Sequence, residues 1–157
     1  MSRPGAALAC APPEESAQRL LAPLTVVMSH PVVCVGPDDS AEAALRLLVE
    51  HGISGLPVVD AQHRPIGMIS RADLLEERLE ALTEGELGTP PRVRDLMTQH
   101  AVALPETALV REAAALMASY GLHRVPVLSP DGSVVGIVAT LDLLRWIVGA
   151  EAKPAGC

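Results

Sequence analysis

A serine and an aspartate three residues apart, Ser70 and Asp73, stand where a β-prone run gives way to a helical one. A hydroxyl at a helix N-cap and a carboxylate three residues on can satisfy free backbone N–H groups. The same kind of helix end also attracts phosphate. Ser70 would then hydrogen-bond a phosphate or sugar, and Asp73 would accept both hydroxyls of a ribose. Both readings fit the spacing. His123 and Arg124 lie between a helix-ending glycine and a β-prone run. They read either as a solvated loop pair or as a cationic contact for phosphate, for which arginine offers a planar fork of donors. The histidines His30, His51, His63 and His100 lack metal-ligand spacing, so no metal is expected. There is no nucleophile elbow and no Walker-type phosphate loop. Without a catalytic signature, the chain is not expected to be an enzyme.

What positions these residues is an internal repeat. Adding 69 to a position in the first half returns the same residue in the second: Met28 and Met97, Gly52 and Gly121, Pro57 and Pro126, Gly67 and Gly136, Asp73 and Asp142. Two copies are too few for a solenoid and suggest a closed pair about a pseudo-twofold axis, with clefts between the halves. A unit of about 50 residues supports only a marginal core, so the copies are expected to share one. Residues 1–23 read as a flexible N-terminal segment with a helical lead-in at 17–24, 24–84 as the first repeat and 85–92 as a linker. Residues 93–148 read as the second repeat and 149–157 as a tail.

Composition narrows the function classes. The chain has 157 residues, a formal charge of −7, 49% hydrophobic residues, no Phe, one Tyr and one Trp. An aliphatic core follows, and there are no aromatic platforms for unpaired bases. With no basic run, nucleic acid is not an expected partner. Cys10, Cys34 and Cys157 have neither disulfide nor zinc spacing. No segment approaches the roughly 18 apolar residues of a membrane span, and the short run Ala6–Ala11 falls short of a signal peptide. A cytoplasmic protein is expected.

Each copy reads strand, helix, strand, strand, helix. Val32–Val35 and Ala101–Leu104 are the opening strands. The first helices place Ala41, Ala44, Leu45 and Leu48, and Val110, Ala113, Ala114 and Met117, at i, i+3, i+4, i+7. Asp39 with Glu42 reads as a capping box and Thr107 as an N-cap. Gly52 and Gly121 fit the position after a helix end. Leu56–Val59 with Ile66–Ile69, and Val125–Leu128 with Val134–Val138, are expected hairpins, and the closing helices begin near Ala72 and Leu141. Pro57 and Pro126 point to edges or bulges.

Several stretches resemble the CBS (cystathionine-β-synthase) domain in its tandem form. They are Val93-Arg94-Asp95-Leu96-Met97-Thr98, the two Gly-x-x-x-x-Pro-Val runs at 52–58 and 121–127, and Gly-Met-Ile-Ser-Arg-Ala-Asp at 67–73. The resemblance covers about residues 24–148. It implies an α+β fold of two β-α-β-β-α repeats packed as a pseudo-twofold pair. It also implies a regulatory module that senses AMP, ADP, ATP or S-adenosylmethionine, with no obligatory cofactor. The family motif maps onto Ser70 and Asp73, with His100, Ala101, Val102, Leu122, His123 and Arg124 beside them from the other copy. The symmetry-related cleft would use Val32, Cys34, Ile53, Ser54, Gly55, Thr140 and Asp142. There Ala139 replaces the hydroxyl and Thr140 comes one residue late, so weaker binding is expected.

The chain is therefore expected to act as a stand-alone module signalling to a separate effector protein. The alternative is a nucleotide-independent dimerisation or adaptor module. A homodimer is expected, as the resemblance implies pairing through helices and the Ala-rich faces at 41–48 and 110–117 permit close approach.

Overall fold

The computed structural model describes residues 12–84, 88–99 and 101–150. His100, the extreme N-terminal residues, part of the linker and the last seven residues lie outside this set. The elements are α1 (Pro13–Arg19), a 3-10 turn (Leu24–Val26), α2 (Ala41–Glu50), β1 (Gly55–Val59), β2 (Pro65–Ser70) and α3 (Arg71–Glu84). They continue with α4 (Val93–Leu96), β3 (Thr98–Gln99), β4 (Leu104–Pro105), α5 (Val110–Tyr120), β5 (Arg124–Leu128), β6 (Val134–Ala139) and α6 (Thr140–Val148).

The fold is α+β, with two three-stranded sheets in the orders β1-β2-β3 and β4-β5-β6. The hairpins obey the offset of 69 residue by residue. Gly55 faces Ser70 as Arg124 faces Ala139, Leu56 faces Ile69 as Val125 faces Val138, and both registers slip at the same place, after Val58 and Val127. Gly52 and Gly121 follow their helices at φ 61° and 64°, a region that favours glycine.

The opening strands are shorter than expected, and proline explains why. Val35 donates to the Pro57 carbonyl and accepts from Val59 N–H, a single parallel bridge. Extending this ladder back towards Val33 requires an N–H from Pro57, and extending it forward requires one from Pro37. The run Val32–Val35 therefore forms no strand. In the second copy the position of Pro37 is held by Glu106, whose N–H reaches the Leu128 carbonyl at 2.8 Å. The ladder survives there as β4.

The hydrophobic residues form two core clusters rather than one shared core, and each is completed by the other copy's opening segment. Val93 joins Val35, Ala44, Leu48, Leu56, Val58, Ile69 and Leu74, with Leu96 and Met97 packed alongside. Leu24 joins Val110, Ala113, Met117, Val125, Val127, Val138 and Leu143, with Val27 and Met28 alongside. The backbone bonds follow the same exchange. Val93 N–H donates to the Asp39 carbonyl and Leu24 N–H to the Ala108 carbonyl, both at 2.9 Å. Beyond these anchors β3 pairs with β2, and Ser29 forms the equivalent bridge to Ile137. Met97 lies over Gly67 and Met28 over Gly136, so the repeated Met and Gly form cross-copy contacts.

Three local expectations are corrected. The cap of α2 is Ser40, whose Oγ accepts from Ala43 N–H at 3.1 Å, while Asp39 turns back to accept from Gly36 N–H. Helix α5 starts after Leu109, whose N–H donates to Glu112, so Thr107 is not its cap. The segment before Leu24 contains a helix, α1, starting earlier than the expected lead-in. It is held on α6 because Trp146 Nε1–H donates to the Arg19 carbonyl and the Arg19 guanidinium donates to the Trp146 carbonyl, each at 2.9 Å. Arg19 also lies over the indole ring.

Candidate functional site

The exchange of opening segments sets the site at the N-terminal end of α3. Strand β2 delivers Ser70 to this end, and β3, crossing from the other copy, brings Thr98 alongside Met68. The turn after α5 supplies Leu122, His123 and Arg124. Together they border an open cavity of about 240 Å³, lined by Ser70, Asp73, Ala101, Val102, Leu122, His123 and Arg124 among others. Every expected member of this cleft within the described residues is thus brought to one place. Thr98 and Met68 also line it and were not among the expected residues. Their signal lay in the repeated Met and Gly, which mark where the opening segment crosses the opposite hairpin.

Within the cavity Ser70 and Asp73 are tied to each other. Asp73 Oδ2 accepts from Ser70 N–H at 2.7 Å and from Ser70 Oγ at 2.8 Å. This is the capping geometry, and it leaves Asp73 Oδ1 without a hydrogen bond among the described residues. Capping and ligand contact are therefore compatible at this helix end. Arg71, absent from the expected set, donates to the Leu48 carbonyl at the end of α2 and lends positive charge nearby.

The second cleft differs. Asp142 Oδ2 accepts from Ala139 N–H at 3.1 Å, the backbone half of the same cap, with no hydroxyl beside it. Thr140 does not replace that hydroxyl. It occupies the position of Arg71, and its Oγ1 turns to the Leu122 and His123 carbonyls at 3.4 Å, as Arg71 turns to Leu48. Cys34 is half-buried, and burial pushes its thiol up to about 11, so it stays protonated near neutral pH. Val32 is half-buried beside it, and Ile53 packs against the first core cluster.

Arg124 was expected in the first cleft alone. Its side chain crosses the bare backbone of Gly55 and donates to Ser54 Oγ in the second cleft. A Cβ on Gly55 would stand 3.1 Å from Arg124 Nη1. The guanidinium is half-buried, and its proton affinity is lowered by burial first and by Arg71 second, with Asp142 acting in the opposite sense. Among the described residues no cluster of three or more His, Cys, Asp or Glu could hold a metal ion. None of the described helices is long and apolar enough to cross a membrane.

Comparison with known proteins agrees with this geometry. The chain matches the CBS domain twice, over residues 25–80 and 93–149. It is 34% identical over 112 residues to an inosine-5′-monophosphate dehydrogenase of Korarchaeum cryptofilum, covering 71% of this chain but 21% of that enzyme. It is 29% identical to the uncharacterised protein MK0525 of Methanopyrus kandleri, covering 76% of this chain and 59% of that protein. The chain thus spans less than two thirds of these relatives. Among solved structures, CBSX2 in complex with AMP is 30% identical with a TM-score of 0.65, covering 78% of this chain and 93% of that one. The CBS domain pair of protein MJ0100, in complex with 5′-methylthioadenosine and S-adenosyl-L-methionine, has a TM-score of 0.70 at 26% identity, covering 82% and 98%. With two family matches spanning most of its length and both halves folded alike, this chain belongs to the CBS domain family as a tandem pair.

Proposed function

We infer that the chain is a cytoplasmic regulatory module that binds AMP, ADP, ATP or S-adenosylmethionine in the Ser70/Asp73 cleft and passes its occupancy to a separate effector protein. The observation that carries this reading is the cavity itself. A helix N-terminus, a carboxylate with one oxygen open, and an arginine and a histidine from the opposite copy converge on one space. The ligands of the two solved pairs, AMP in one and two sulfur-bearing adenosines in the other, support the class. No catalytic step is part of this reading. Mass spectrometry of small molecules released from gently purified protein, followed by calorimetric titration with AMP, ADP, ATP and S-adenosylmethionine, tests it. Saturable binding of at least one of the four is expected. No heat with any of them would leave the adaptor reading.

That second reading shares one feature with the first, a pairing surface. Of the Ala-rich stripes at 41–48 and 110–117, Ala44, Leu48, Ala113 and Met117 are buried in the chain's own cores, so Leu45 and Ala114, and not these four, can belong to that surface. Small residues there let each helix approach its own sheet. Outside, the helices expose among others Leu45 and Val49 on α2, Leu75 on α3, Tyr120 on α5, and Leu141, Leu144 and Val148 on α6. Next to α6, a groove between α5 and α6 is lined by Ala114, Ala118, Leu144 and Ile147. A homodimer formed through these helices would cover both. Light scattering should give about twice the 16.4 kDa mass of the chain. A value near 16.4 kDa at micromolar concentration, with and without AMP, would rule the dimer out.

A further inference from the structure

The two hairpins have equivalent registers, yet at the matched positions Arg124 carries a guanidinium and Gly55 carries no side chain. Arg124 borders the Ser70/Asp73 cavity, crosses Gly55 and donates to Ser54 on the far side. The offset of 69 explains the geometry. Arg124 and Gly55 are symmetry mates, so the large side chain of one occupies the space that the missing side chain of the other leaves open. Had both positions carried arginine, each cleft would have its own cation and the two would repel. Arg71 does not substitute, because its guanidinium is anchored on the Leu48 carbonyl.

We propose that Arg124 is a cation shared by the two clefts, so that a phosphorylated ligand bound in one takes it from the other. This rests on the adenosine-ligand reading and adds a regulatory device to it. With its fork turned to a phosphate in the Ser70/Asp73 cleft, Arg124 gives up Ser54 and leaves the Asp142 carboxylate without its neighbouring cation. A second phosphate then meets an anionic cleft. Since coupling of binding free energies is reciprocal, loading the Asp142 cleft first weakens the other by the same factor. A ligand without phosphate draws less on the arginine, so the device distinguishes AMP from adenosine and makes the response to AMP half-of-sites.

The test is calorimetry on the full chain with AMP and with adenosine as probes. The wild-type chain should bind one AMP tightly and a second at least tenfold more weakly. Ser54→Ala frees the guanidinium and should strengthen the tight AMP step about threefold, with the tight adenosine step, at the Ser70/Asp73 cleft that Ser54 does not line, moved by less than twofold. Arg124→Gln should weaken the tight AMP step at least tenfold and narrow the gap between the two steps, the missing hydroxyl at Ala139 still leaving the second the weaker. Arg124→Lys, which keeps the charge without the fork, should fall between. Thermal unfolding of each variant checks that folding is retained. Two equal and independent AMP sites in the wild-type chain would overturn the proposal while leaving the nucleotide reading intact. So would a gap between steps that Arg124→Gln leaves as wide as in the wild-type chain, or Ser54→Ala with both AMP steps unchanged. No heat from the wild-type chain with either probe would overturn both together.

Discussion

Replacing Asp73 by alanine is expected to weaken AMP binding by about 1.5–3 kcal/mol, the range for hydrogen bonds to a charged group. That corresponds to a loss of roughly tenfold to more than a hundredfold. The carboxylate has two duties. Oδ2 caps the first turn of α3 by accepting from Ser70 N–H and Oγ, and Oδ1 is free to take a ligand hydroxyl. Alanine removes both, so a stability cost of about 1 kcal/mol accompanies the binding loss. Asp73→Asn separates them. Its amide oxygen can still accept from Ser70 N–H, but the second position becomes a donor and the charge is gone. Unfolding midpoints of this variant should stay close to wild type while AMP affinity falls most of the way to that of Asp73→Ala. If affinity holds in both variants, Asp73 is a cap and nothing more.

Much of this was legible in the sequence because the repeat reports on itself. An offset shared by Met28/Met97, Gly67/Gly136 and Asp73/Asp142 fixes equivalent places in two copies. The hairpins could be read from buried apolar runs with turn residues between them, and the cleft from residues that the family motif and the turn after α5 bring together. What sequence pattern does not encode is which copy a segment packs against. Leu24 and Val93 are apolar and buried in either arrangement, and it is the membership of the core clusters and the backbone bonds to Ala108 and Asp39 that reveal the exchange. Local chemistry misled where two polar residues compete for one duty. Asp39 and Ser40 are both good caps, and the choice falls to Ser40 because the Asp39 side chain is committed to Gly36 N–H. Thr140 offered a hydroxyl one residue late, but the first turn of α6 aims it at the Leu122 and His123 carbonyls in the turn after α5. The reach of Arg124 could not be foreseen from its own position, since it depends on its symmetry mate being glycine.

Gly67→Ala should be among the most damaging single-methyl changes in the chain, at about 2–3 kcal/mol, the cost of forcing an extra carbon into a packed site. A Cβ at Gly67 would stand 2.7 Å from the Thr98 carbonyl oxygen and 2.8 Å from Met97 Sδ. The sulfur is the flexible end of a side chain, but the carbonyl belongs to β3, which is paired with β2 at Met68 and Gly67. Relief therefore requires β3 to move off the hairpin, and β3 continues the segment whose Val93 completes the first core, and it brings Thr98 to the cavity. The symmetry mate isolates the cause. At Gly136 the three nearest atoms all belong to the Met28 side chain: Sδ, which comes closest of all, then Cγ at 2.9 Å and Cβ at 3.1 Å. An unbranched thioether repacks more readily than backbone, so Gly136→Ala should cost about 1–2 kcal/mol, at the lower end of the overpacking range. Met28→Ala combined with Gly136→Ala should recover part of the packing loss, whereas Met97→Ala should fail to rescue Gly67→Ala because the Thr98 carbonyl remains. Chemical denaturation of the four variants, with AMP affinity measured alongside, reads all of this. Equal losses at the two glycines would mean that the crossing strands yield as easily as a methionine side chain. Gly67→Ala should also lower AMP affinity through the displaced Thr98, a consequence Gly136→Ala lacks because no backbone of the Ser70/Asp73 cavity has to move.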